Sequence, residues 1–285
     1  MKSAATAPNH IVDTHLHLVN LRRFRYYWMK PAFTVLEHDY LAEDVRPLYE
    51  AYNVERAVLI QAHPSREETE YLVEVASRHP FVGAVVAHVD LTAEEIERDL
   101  AELSQSKIIR GVRHQQAEDQ SADWFLRPAV LRGLQAVSAV GLIYDLLVKP
   151  VHLPSIPIVM KRVPELKIVL EHMGKPPIAS GTIEPWANHL AVIAENPNVH
   201  CKISELVIQA EWKNWSSEDL KPYVQHALEC FGSNRLMWGS GWPVCLLAAD
   251  FGKTLSSTLE ALGQLSQSEV DKVFRETARV FYNLE

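Results

Sequence analysis

Residues 10–18 read "HIVDTHLHL", an apolar run that ends in two histidines and contains no glycine. A doubly wound open sheet keeps a glycine-rich phosphate loop after its first strand, and this stretch has none. Seven further runs of the same character follow: "VERAVLIQA" from Val54, "FVGAVVAHVD" from Phe81, "IIRGVRHQ" from Ile108, "LIYDLLV" from Leu142, "KIVLEHM" from Lys167, "VHCKISEL" from Val199 and "RLMWGSGW" from Arg235. They are rich in Val and Ile and nearly continuous in hydrophobicity, as parallel strands buried on both faces must be. Amphipathic stretches separate them. In "SREETEYLVEVASRHP", Ser65 and Glu68 have the spacing of a capping box, and Thr92 and Glu95 repeat it in "TAEEIERDLAELSQ". Eight strand–helix units with right-handed crossovers close most simply into a single (β/α)8 barrel over residues 1–285, with a final helix after the eighth unit.

Composition narrows the function. The 285 residues are 47% hydrophobic and 22% charged, within the range of a globular protein. A net charge of −8 argues against nucleic acid and anionic membrane as partners. No run of about 18 apolar residues is present, and the first ten residues lack the apolar segment of a signal peptide. Cys201, Cys230 and Cys245 form no CxxC pair and read as buried thiols of a reducing compartment. A cytoplasmic enzyme is expected.

Barrels of this kind gather function at the C-terminal ends of their strands. Strand alternation there puts Asp13, His15 and His17 on one face, and two imidazoles two residues apart can share one divalent metal. The bland reading is a hydrogen-bonded pair of core histidines. Further polar residues fall at strand ends: His63, His88 with Asp90, Arg113 with His114, Tyr144 with Asp145, His172, and Lys202 with Ser204 and Glu205. Buried ionisable groups are costly unless paired or used. Aromatic residues concentrate in the connections, in "RFRYYWMKP" (which holds Trp28), "DWFLRP" and "AEWKNW". Rings there would wall a pocket for a cyclic ligand or pack helices on the barrel.

The stretches "VDTHLHL", "RYYWMKP", "IRGVRHQ", "GLIYDLLVKP", "IVLEHMGKPPI", "CKISELV", "RLMWGSGWPVCLL" and "ARVFYNL" follow one another along the chain. In that order they resemble the amidohydrolase-2 branch of the amidohydrolase superfamily, and within it the sugar-acid lactonases and 2-pyrone-4,6-dicarboxylate lactonase. The resemblance implies a distorted barrel that opens a lactone ring by water attack. It implies a site built on His15, His17 and His172, with or without one divalent metal such as zinc held by those three, and no organic cofactor. Arg113 and Lys202 would bind substrate, with His114, Tyr144 and Trp28 beside them. Metal-dependent non-oxidative decarboxylation and non-catalytic binding of a sugar acid are the alternatives.

Three stretches depart from the family pattern. The usual D-H-L-G-K-P appears as Glu171-His172-Met173-Gly174-Lys175-Pro176, a mild change. Where it usually reads S-D-W-P, this chain has Ser240-Gly241-Trp242-Pro243, so the strand-8 aspartate expected to act as general base is a glycine. Where it usually reads K-L-S-G, the chain has Lys202-Ile203-Ser204-Glu205. The base is then missing, or Glu205 supplies it, or the chain binds without turnover; a glycine also suits a backbone of positive φ. If Gly241 leaves a void, an aspartate placed there should raise hydrolysis.

Overall fold

The computed structural model describes residues 7–115 and 121–285. Each apolar run contains one strand: β1 Ile11–Leu16, β2 Val54–Ile60, β3 Val82–His88, β4 Ile109–Arg113, β5 Ile143–Leu146, β6 Ile168–Leu170, β7 Val199–Ser204 and β8 Leu236–Gly239. All seven neighbouring pairs are parallel, in chain order from β1 to β8. The helices between them are α1 Ala42–Ala51, α2 Arg66–Arg78, α3 Ile96–Leu103, α4 Pro128–Ala139, α5 Ile156–Arg162, α6 Trp186–Ala194 and α7 Ser217–Phe231, with α8 Phe251–Leu262 after the last strand. The fold is the expected (β/α)8 barrel.

Alternation divides each strand between two apolar layers. Val12, Val58, Ile60, Ala84, Val86, Ile143, Val169 and Met237 fill the bore. Ile11, Ala57, Leu59, Val85, Val112, Tyr144 and Ile168 pack outward under the helices. The final helical segments, Gln267–Asp271 and Thr277–Phe281, flank a π-turn at Lys272–Glu276. Beyond them the chain turns under the barrel, and Tyr282 and Leu284 plug the N-terminal end of the bore.

Between β1 and β8 the closure is made differently. There is one isolated bridge, Leu16 to Trp242, and side chains do the rest. Thr14 Oγ1 donates to the Trp238 carbonyl at 2.7 Å. The fully buried Asp13 carboxylate accepts from Ser240 N (2.8 Å), Ser240 Oγ (2.6 Å), Tyr49 Oη (2.8 Å) and His15 N (3.1 Å). The strands come so close that a Cβ on Gly239 would strike His15, which is why that residue is glycine.

The helix starts correct two expectations. Ser65 caps α2 by accepting from Glu68 N at 3.1 Å, but the Glu68 carboxylate does not return to the cap. It is buried under the β2–α2 loop and accepts from Ala62 N at 2.7 Å and His63 N at 2.6 Å. Thr92 bonds Asp90 instead of capping, and α3 begins only at Ile96. Cys201 and Cys245 are buried as expected, whereas Cys230 is half-exposed.

Candidate active site

The C-terminal ends of the strands open into a cavity of about 210 Å³ lined by His17, Arg113, His172, Lys175 and Glu205 on its polar side. Trp28, Phe33, Trp212, Ile208, Val244 and Leu247 form its apolar side. A larger hollow of about 440 Å³ lies outside the barrel between α2 and α3 and contains none of these groups.

β1 turns two histidines into the bore through an irregularity, and the second of them, His17, lines the cavity. Its register against β2 shifts between Asp13, opposite Ala57, and Leu16, opposite Leu59. That shift breaks the alternation, so Asp13 points outward to α1 and β8 while His15 and His17 point into the bore. The expectation that all three share one face is corrected by this bulge. His15 Nε2 and His17 Nε2 lie 3.0 Å apart, with the rings edge to face. His17 Nδ1 is 2.9 Å from the Ile60 carbonyl, which can only accept, so Nδ1 carries the proton and the Nε2 lone pair faces His15.

β6 ends at Leu170, and the chain then makes a left-handed turn. His172 (φ 54°), Met173 (φ 51°), Gly174 (φ 71°) and Lys175 (φ 58°) are all left-handed, where each non-glycine residue costs roughly 1–2 kcal/mol. The turn brings His172 against His15 (ring centroids 4.6 Å) and anchors its Nδ1 at 2.9 Å from Ser204 Oγ.

Glu205, just after β7, is left-handed too, with φ 52°. Its Oε2 is 3.3 Å from His172 Nε2, and its Oε1 is 3.9 Å from the Nε2 atoms of both His15 and His17. The three imidazoles and this carboxylate thus converge on one point. Burial, with Glu171 adding to it, pushes the Glu205 carboxyl up to about 7, against the pull of Lys175, Arg113 and Lys202. Burial also depresses the histidines, His17 to about 3 and His15 and His172 well below their ordinary value, so the rings are neutral.

Gly241 faces this carboxylate. Its φ is 66°, its N–H donates to the His15 carbonyl at 2.8 Å, and a Cβ added to it would collide with Glu205 Cγ. The expected void is therefore filled: the Glu205 side chain occupies the place a residue-241 side chain would take. The departures at positions 205 and 241 touch each other.

The remaining expected site residues separate. Trp28 lines the cavity and donates Nε1–H to the Ala62 carbonyl at 2.8 Å. Arg113 lines it as well, but its Nη1 is 2.9 Å from Glu171 and its Nη2 donates to the Gln61 carbonyl. Lys202 does not line it. It lies fully buried lower in the bore, paired with Asp145, whose carboxylate also accepts from Tyr282 Oη at 2.8 and 3.0 Å. Tyr144 sits between the inward Ile143 and Asp145, so alternation turns it outward under the helices. His114 stacks on Trp124 (4.9 Å) with Nδ1 at 3.1 Å from the Val89 carbonyl, outside the cavity. His88 and Asp90 line the outer hollow, and His63 lies between the rings of Phe24 and Tyr27, 5.5 Å from each.

Two residues of the site carried no expectation. Glu171 is fully buried, and its Oε1, 3.6 Å from His15 Nδ1 and 3.9 Å from Lys202 Nζ, accepts no hydrogen bond among the described residues. Lys175 reaches the cavity wall through the left-handed turn. A carboxylate directly before a strand-end histidine and a lysine three residues after it were the available signals.

The sequence matches the amidohydrolase family over residues 12–284. It is 38% identical over 244 residues to an L-fucono-1,5-lactonase of Burkholderia ambifaria, covering 85% of this chain and 83% of that one. It is 34% identical over 284 residues to an L-fucono-1,5-lactonase of Burkholderia multivorans, covering 96% of each. A crystal structure of an amidohydrolase from Burkholderia multivorans with bound zinc superposes with a TM-score of 0.89 at 32% identity, over 97% of this chain and all of that one.

Proposed function

The chain belongs to the amidohydrolase family, and we propose that it hydrolyses a sugar-acid lactone, with L-fucono-1,5-lactone as the first substrate to offer. One observation carries the reading: a carboxylate with a pKa near neutrality lies among three neutral imidazoles at the mouth, in the space beside Gly241. A base of that pKa takes and returns a proton at neutral pH. Glu205 accepts a proton from water as the water oxygen adds to the lactone carbonyl carbon. It then returns the proton to the ring oxygen as the C–O bond breaks. His172, held by Ser204, and His17, held by Ile60, stay neutral and oriented toward the reacting group. Trp28, Phe33 and Trp212 offer flat apolar faces to the C–H side of the ring.

The donor set also suits a divalent metal. His15, His17 and Glu205 bring ligand atoms within 4.8 Å of one another, with the Nε2 lone pair of His17 aimed inward, and His172 adjoins them. Zinc takes such nitrogen and oxygen donors, and when bound it would polarise a carbonyl and acidify water. Chelator treatment followed by zinc titration, read by calorimetry, tests the ligand set; Glu205→Gln should weaken zinc binding.

The activity test is a pH-stat assay of the parent and Glu205→Gln against aldonic-acid and pyrone lactones. The substitution should lower turnover by about 10²–10⁴-fold, the contribution of a positioned base. A parent that opens none of these lactones defeats the reading, and so does a Glu205→Gln variant as fast as the parent.

A further inference from the structure

Three cations were available to meet an anion at this site, and two are already engaged. Arg113 is held by Glu171 and the Gln61 carbonyl, and Lys202 is sealed against Asp145 below the cavity. Lys175 lines the cavity and makes no ion pair within 4 Å among the described residues; Glu205 and then Glu171 are the carboxylates that act on it most strongly. Its position depends on the left-handed turn. The left-handed segment His172–Lys175 is tied by Lys175 N to the His172 carbonyl at 2.9 Å and by Trp186 Nε1 to the Met173 carbonyl at 2.7 Å. His172 and Lys175 both line the cavity. Strained backbone that the surroundings hold in place is found where side chains must be aimed.

We propose that Lys175 is a catalytic residue that holds the negative charge formed at the lactone carbonyl oxygen. This rests on the lactone reading above. As water adds to the carbonyl carbon and Glu205 takes its proton, the C=O electron pair moves to oxygen, where Lys175 Nζ donates a hydrogen bond. When the pair returns, the ring C–O bond breaks and the ring oxygen takes the proton from Glu205. The carboxylic acid so formed releases its proton to solvent, and the resulting carboxylate stays in reach of the same ammonium group until it leaves.

The test uses Lys175→Gly and Lys175→Arg. Glycine removes the ammonium group and also relaxes a left-handed position. The proposal therefore expects an unusual combination: a melting temperature at or above the parent's with kcat lowered about 10²–10³-fold, the cost of removing one oxyanion donor. KM should change little, and arginine should restore part of kcat. L-Fuconate, the ring-opened product, should bind Lys175→Gly at least about ten-fold more weakly by calorimetry, while the neutral polyol L-fucitol binds both proteins alike. A Lys175→Gly protein with parental kcat and parental L-fuconate affinity overturns the proposal. So does a parent that binds L-fuconate no better than L-fucitol. If the parent opens no lactone, the lactone reading fails, and the calorimetry still decides whether Lys175 holds a carboxylate.

Discussion

The bore contains two buried polar clusters, and they are built on opposite terms. In the lower one, Lys202, Asp145 and Tyr282 satisfy one another beneath the site and do not line its cavity. In the upper one, Glu205 sits among three neutral imidazoles beside Lys175, which has no ion-pair partner among the described residues, and all but His15 reach the cavity. Both are buried and both bring charge into an apolar barrel. What separates structure from chemistry is completeness of pairing: the lower cluster has nothing left to offer a ligand, and the upper one retains a lone pair, a proton site and an ammonium group.

The hardest way to break that contrast is to open the lower cluster. Lys202→Met leaves Asp145 buried without its cation, and removing one partner of a buried pair costs about 3–5 kcal/mol. The melting temperature should fall by on the order of 10 °C. A variant as stable as the parent would show that Lys202 is not the structural partner of Asp145.

The upper cluster should respond with the opposite sign. The folded-state pKa of Glu205 is raised to about 7 from an ordinary 4.5. Between those values the folded protein keeps a proton that the unfolded chain releases, so stability falls as pH rises across that window. The full cost, up to about 3 kcal/mol, applies above pH 7. In chelator-treated protein Glu205→Gln should raise the melting temperature at pH 8 more than at pH 5. Parental turnover should climb through pH 7 as the base ionises. Equal melting shifts at both pH values would remove the raised carboxylate from the account.

Gly241→Asp sharpens the comparison within the site. Its side chain meets Glu205, and overpacking of this kind costs about 1–3 kcal/mol. The single variant should lose stability and gain no activity. Pairing it with Glu205→Gly returns room for the new carboxylate, so the double variant should be the faster of the two. A single variant that outpaces the parent would show that the two carboxylates coexist. The mildest change is Tyr282→Phe, which removes one donor to Asp145 and should cost about 1 kcal/mol without altering kcat.

The barrel was legible because eight β-rich runs alternate with amphipathic segments, and no local feature had to be known for that pattern to appear. His15, His17, His172 and Glu205 were legible as strand-end residues. Tyr144 was misassigned because a strand end is not a direction; its neighbours Ile143 and Asp145 take the bore. Asp13 was misassigned because the bulge in β1 leaves no mark in composition. Lys202 looked like a substrate ligand because its partner lies 57 residues away. Lys175 stands three residues past a strand-end histidine, but it went unassigned because nothing in the sequence marks four successive left-handed residues, only one of them glycine, and so nothing gave its direction.

The seam between β1 and β8 has a consequence in time. Asp13 and Ser240 are 227 residues apart, and the backbone bonds from Gly241 N–H to the His15 carbonyl and from His17 N–H to the Trp242 carbonyl join the same two ends of the chain. Contacts of such long sequence separation form late, because the loop they close must first be ordered. During synthesis, all three histidines and Glu205 emerge before the strand that fastens them together. A chain stopped short of residue 240 would therefore carry nearly all of the candidate catalytic groups without the strand that fastens them together.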